Sequence, residues 1–168
     1  IALPGLAVAV ADEKTIPAIL EAWAERERGG LLPNRLAEDA GAALYNSADA
    51  PLWFLRALFR VWRERGESAL PGRALDAARS TLEAYHSGAE GGILVDPEDG
   101  LLLAGDRDSQ LTWMDACFEG EAITPRYGKC VELQALYHEA LLDAAELGLE
   151  PERGSVWRER AAKLCSSF

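Results

Sequence analysis

The residues best suited to chemistry crowd into one stretch, residues 108–136, DSQLTWMDACFEGEAITPRYGKCVELQAL. Asp115, Arg126, Tyr127, Lys129 and Glu132 fall within it, beside Thr112, Trp113 and Thr124. Carboxylates, a guanidinium, an ammonium and aromatic rings at this density suit a polar ligand held by hydrogen bonds and ring faces. A turn segment at 120–125 interrupts the stretch, and helical spacing resumes only near Lys129. The block therefore reads as an irregular polar segment at the mouth of a helical scaffold, where function is more often carried than on the scaffold itself.

A second cluster is formed by Tyr45, Asn46, Asp49 and Trp53. A flat ring beside an amide and a carboxylate suits a pyranose, whose C–H face stacks while its hydroxyls take paired hydrogen bonds. The plainer alternative makes Asp49 a helix N-cap and Trp53 a core residue, and both roles are compatible with ligand contact.

The elements that must position these groups read as helices. Residues 3–11 look like the end of one. Thr15 caps a second, with Pro17 in its first turn, Ile16, Ile19, Leu20 and Trp23 as its stripe and Gly29-Gly30 as its stop. A long connection follows, residues 31–47. Asp49 and Pro51 open a third helix carrying Leu52, Leu55, Leu58 and Phe59 up to Gly66. A fourth covers about 71–87. Apolar runs around Pro97-Glu98-Asp99-Gly100 predict a hairpin, with Asp-Gly as the turn dipeptide. A helix over about 129–147 and a last one over about 151–165 complete six helices and one hairpin. Paired helices of this kind stack as a solenoid or close into a toroid.

Composition narrows the partners. The 168 residues suffice for one domain with a sizeable core. The net charge of -11 disfavours nucleic acid, anionic membrane surfaces and polyanionic substrates, whereas a neutral sugar meets no such penalty. Cys117, Cys130 and Cys165 lack a CxxC spacing and read as reduced thiols of a cytoplasmic protein. His86 and His138 stand too far apart for a zinc motif. Asp96, Glu98 and Asp99 lack the calcium-loop spacing and read as a hairpin turn. The start at Ile1, without Met and in mid-pattern, reads as the N-terminal portion of a longer domain.

Six segments occur in one order: IALPGL (1–6), GLLPNR (30–35), YNSADAPLWF (45–54), GGILVDPEDGLLLAG (91–105), LTWMDA (111–116) and TPRYGKCVELQALYHEAL (124–141). Together they resemble the amylo-α-1,6-glucosidase domain of glycogen debranching enzymes, over nearly the whole chain. The resemblance implies an all-α, partial (α/α)6 toroid, about six of its twelve helices, with the active site in loops at one end. It implies an inverting glycoside hydrolase that removes α-1,6-linked glucose at branch points of a glycogen-type glucan, without a cofactor.

The family's TWMD aspartate looks like the general acid, which carries over to Asp115. Trp113 and Met114 offer apolar surface that could desolvate this carboxyl and favour its protonated form. The structural alternative is that Asp115 caps a short helix. The family's base lies in a later motif. Glu132, at a helix start, is a sugar ligand or an ion-pair partner. Arg126 and Lys129 either bind sugar hydroxyls and orient Asp115 and Glu132, or form an ion-pair set within the loops. Trp23, Trp62 and Trp157 read as packing residues. Two other readings share these residues: a toroidal hydrolase of another small glycoside, and a catalytically silent carbohydrate-binding or interaction fragment that self-associates through uncovered helix faces.

Overall fold

The computed structural model describes residues 14–34 and 43–168. The expected helix over 3–11, Arg35 and the IALPGL segment lie outside them. Five α-helices are described: α1 (Thr15–Ala24), α2 (Asp49–Arg65), α3 (Gly72–Ser87), α4 (Val131–Leu147) and α5 (Gly154–Ser167). Two short antiparallel hairpins stand between α3 and α4. In the first, β1 (Leu94–Val95) pairs with β2 (Leu102–Leu103); in the second, β3 (Cys117–Phe118) pairs with β4 (Glu121–Ala122). The chain is mostly helical with small strand pairs, and no described helix is long and apolar enough to cross a membrane.

Helix α4 is the spine. Leu133, Leu136, Tyr137, Ala140, Leu141 and Ala144 recur at helical spacing and are buried. One side of α4 meets α2 and the other meets α5, where Trp157, Ala161 and Leu164 face inward. Arg63 of α2 donates to the buried Asp143 of α4 at 2.6 Å and to Glu146 at 2.8 Å, tying the two helices at their far ends. Gly148 takes the left-handed conformation (φ 73°) that ends α4, as the glycine there leads one to expect.

Helix α1 packs on α3, and one glycine lets the turn that follows α1 lie against α3. At Gly30 (φ 84°) a Cβ would stand 2.3 Å from the Cβ of Ala84. The turn is fastened by the Gly30 N–H donating to Glu27, by Ser80 donating to the same carboxylate at 2.7 Å, and by Thr81 donating to the Gly30 carbonyl at 3.0 Å. Leu31 and Leu32 then dive into the core. Helix α1 stops at Ala24, short of the Gly29-Gly30 expected from sequence, and Thr15 is its first residue while Lys14 holds the N-cap position.

The first hairpin is held from outside as well as from within. The buried amide of Gln134 accepts from the Leu102 N–H at 2.7 Å and donates to the Leu102 carbonyl at 2.8 Å. It thereby acts as the peptide of a third strand. The second hairpin turns at Glu119 and Gly120, both at positive φ. Sequence reading misses it because Glu-Gly is not among the dipeptides that favour two left-handed residues in succession.

Candidate functional site

Two long-range contacts bring the central block to the start of α2. The Ala48 N–H donates to the Leu111 carbonyl at 2.7 Å, which lays residues 111–116 beside the α2 N-terminus. The Asn34 N–H donates to the Leu44 carbonyl at 2.7 Å, which brings the end of the Gly30 turn to the same place. Thr112, next to Leu111, is buried, whereas Asp115 is exposed.

A cleft of about 250 Å³ opens there, lined by Trp23, Leu32, Asn34, Asp49, Trp53 and Phe54. Asn34 stands on its rim and reaches Asp115, with Nδ2 3.4 Å from Oδ2. Of the expected site, Asp49 and Trp53 line this cleft, and Asp115 approaches it only through Asn34. Trp23, expected to serve packing, and Asn34, from the 30–35 segment, line it with Asp49 and Trp53. Asn34 is legible from sequence only as a polar residue after Leu-Leu-Pro, with nothing to show that it meets a residue so far along the chain.

Asp49 lies in the first turn of α2 and is not its cap. Ala48 holds the N-cap position, and the preceding Ser47 Oγ accepts from the Ala50 N–H at 3.1 Å and donates to Asp49 Oδ1. The Asp49 carboxylate is thereby fixed at the wall of the cleft, nearly buried and at the favourable end of the helix dipole.

Other expected site residues lie elsewhere. Tyr45 donates to the Arg26 carbonyl at 2.7 Å, and the Arg28 guanidinium sits 5.0 Å from its ring centre, so it braces the end of α1 and is not on the cleft wall. Asn46 is exposed. Trp113 is 62% exposed, so it does not cover the Asp115 carboxyl as the sequence suggested. Asp115 caps no helix either, since irregular chain and then β3 follow it.

Arg126 and Glu132 form an ion pair with each other. Lys129 does not turn to Glu132 or Asp115. Its ammonium bridges Asp96 at 2.7 Å and Asp99 at 2.5 Å in the turn of the first hairpin. The ammonium holds both carboxyls below the ordinary carboxylate range, and they raise the Lys129 pKa in turn. The remaining oxygens of these two aspartates accept the backbone N–H groups of Glu98 and Leu101, as expected of a hairpin turn. Cys117, Cys130 and Cys165 are free, and Cys130 is buried.

A small cleft walled by two tryptophans and a carboxylate, with the exposed Asp115 carboxyl 3.4 Å from its lining residue Asn34, gathers groups able to stack on a ligand and to exchange a proton with it. Comparison with curated proteins yields no match. The family model described as amylo-alpha-1,6-glucosidase matches residues 1–168. The chain is therefore a glycoside hydrolase-related domain and belongs to the amylo-alpha-1,6-glucosidase family.

Proposed function

We propose that the chain serves inverting hydrolysis of single α-1,6-linked glucose residues at branch points of a glycogen-type glucan, with Asp115 as the general acid. One observation supports this beyond family membership: Asn34, which lines the cleft with Asp49 and Trp53, has its Nδ2 3.4 Å from the Asp115 carboxylate. Protonated Asp115 gives its proton to the glycosidic oxygen as the bond from that oxygen to the glucose C1 breaks. Water then adds to C1 from the opposite face, its proton taken by a carboxylate about 6.5–9.5 Å away across the ring. Glu132 is committed to its ion pair with Arg126, so we assign the base to a later segment of the family's domain. The five helices belong, in this reading, to an (α/α)6 toroid with the cleft at its loop end. No cofactor enters the reaction.

A second reading, a carbohydrate-binding or interaction fragment without catalysis, is favoured by the strong exposure of Phe118 and Ile123 on and beside the second hairpin. Release of free glucose from a branched limit dextrin separates the two. Glucose from the wild-type chain, and none from Asp115→Asn, supports the acid. Silence from both, in this chain and in a longer one, overturns the debranching assignment.

A further inference from the structure

Among the described residues, the Asp115 carboxyl bonds to one side chain, and that partner is an amide. Asn34 Nδ2 stands 3.4 Å from Oδ2, and no described cation forms an ion pair with the carboxyl. The neutrality of the partner matters, because a nearby cation would favour the ionised carboxyl, which has no proton to give.

The mount of Asn34 is firm although its side chain is exposed. Leu31, Leu32 and Pro33 before it are buried, and its own N–H donates to the Leu44 carbonyl at 2.7 Å. The segment bearing Asp115 is fastened in turn by the backbone bond from Ala48 to Leu111 and by the buried Thr112. Two anchored stretches of backbone thus present one short side chain to the other.

We infer that Asn34 is a positioning residue for the acid: its amide holds Oδ2 and leaves Oδ1 to carry the proton. The inference rests on the proposed hydrolysis and deepens it. In a protonated carboxyl the carbonyl oxygen is the better acceptor, so an amide N–H at Oδ2 directs the proton to Oδ1. As that proton passes to the glycosidic oxygen, the bond from this oxygen to C1 breaks, and its electron pair stays with the oxygen. Negative charge develops on Asp115, and the bond from Asn34 becomes charge-assisted and stronger. A contact that strengthens toward the transition state raises kcat. At 3.4 Å it is long in the free protein, as catalytic hydrogen bonds often are before substrate closes the site.

Two substrates with different leaving groups test this on the full chain. Limit dextrin departs through an oxygen that needs a proton, whereas α-glucosyl fluoride loses fluoride as the anion and needs none. Asn34→Leu keeps the size of the side chain and removes its donor. It is expected to lower kcat on dextrin about tenfold, the rate equivalent of one hydrogen bond, with KM and fluoride turnover unchanged. Equal losses on both substrates, or no loss on dextrin, overturn the inference. The side-chain amide signal of Asn34 in a heteronuclear NMR spectrum gives a reading that needs no turnover. It should move in Asp115→Ala, and an amide that stays in place overturns the inference too. An amide that moves, in a chain that turns over neither substrate, leaves the pairing standing and removes only the hydrolysis.

Discussion

The Nδ2 of Asn34 stands 3.4 Å from the Oδ2 of Asp115, across 81 residues of chain. Asn34 owes its place to the Gly30 turn pressed on α3, and Asp115 owes its place to the backbone bond between Ala48 and Leu111. Each is exposed, so neither is held there by its own burial. Their meeting is a product of the packing beneath them.

Asp115→Asn is expected to lower glucose release from limit dextrin by about 10²–10⁴-fold, the usual contribution of a positioned acid. Stability should change by no more than about 0.5 kcal/mol, because the side chain is exposed. Asn34→Ala should give a smaller loss of rate with the same stability. An urea melt beside the assay checks both halves, and unchanged turnover in Asp115→Asn would remove the acid assignment.

Ser47→Ala removes the hydroxyl that accepts the Ala50 N–H in the first turn of α2 and donates to Asp49. The expected cost is about 1 kcal/mol of stability. Glucose affinity should fall as well, since Asp49 loses the partner that holds it at the cleft wall. Loss of stability with intact glucose binding would show that Asp49 serves the helix and not the ligand.

The Lys129 bridge makes the first hairpin sensitive to pH at both extremes. Asp96 and Asp99 are held below the carboxylate range, so their contribution is complete above the unfolded pKa of about 4 and is lost as pH falls through the lower folded values. Lys129 is raised, so its contribution is complete below about 10.4 and is lost as pH rises through the higher folded value. Hydrogen-exchange protection at Leu102 and Leu103 should be level between these limits and decline beyond each. Lys129→Met should flatten the alkaline decline.

Gln134→Leu leaves the N–H and the carbonyl of Leu102 without partners in a buried place. At about 1–3 kcal/mol for each such group, the chain should lose about 2–4 kcal/mol after local relaxation. Denaturant unfolding measures this directly. A loss under 1 kcal/mol would mean that water replaces the amide.

The helices were open to sequence reading because their cause is local. Apolar residues at 3.6-residue spacing, Pro51 near a start and Gly66, Gly88 and Gly148 at the ends define α2, α3 and α4 to within a residue or two. The Asp-Gly hairpin was legible for the same reason. The second hairpin was hidden because Glu119 adopts a conformation that its residue type disfavours. Roles of charged residues were hidden too, since a charge is satisfied by whatever partner folding delivers. Lys129 sits three residues from Glu132 in sequence but bonds to carboxylates about 30 positions earlier.

The sequence by itself determined the family, the helical scaffold and the candidate acid, because motif order, apolar period and residue type are properties of the chain. Tertiary structure alone decided which groups share the cleft. Trp23, Asn34, Asp49 and Trp53 line it from three separate segments, with Asp115 3.4 Å from Asn34, and their meeting depends on a glycine turn against Ala84 and on one backbone bond at Ala48. Such contacts arise only once the core has closed, and no spacing along the chain encodes them.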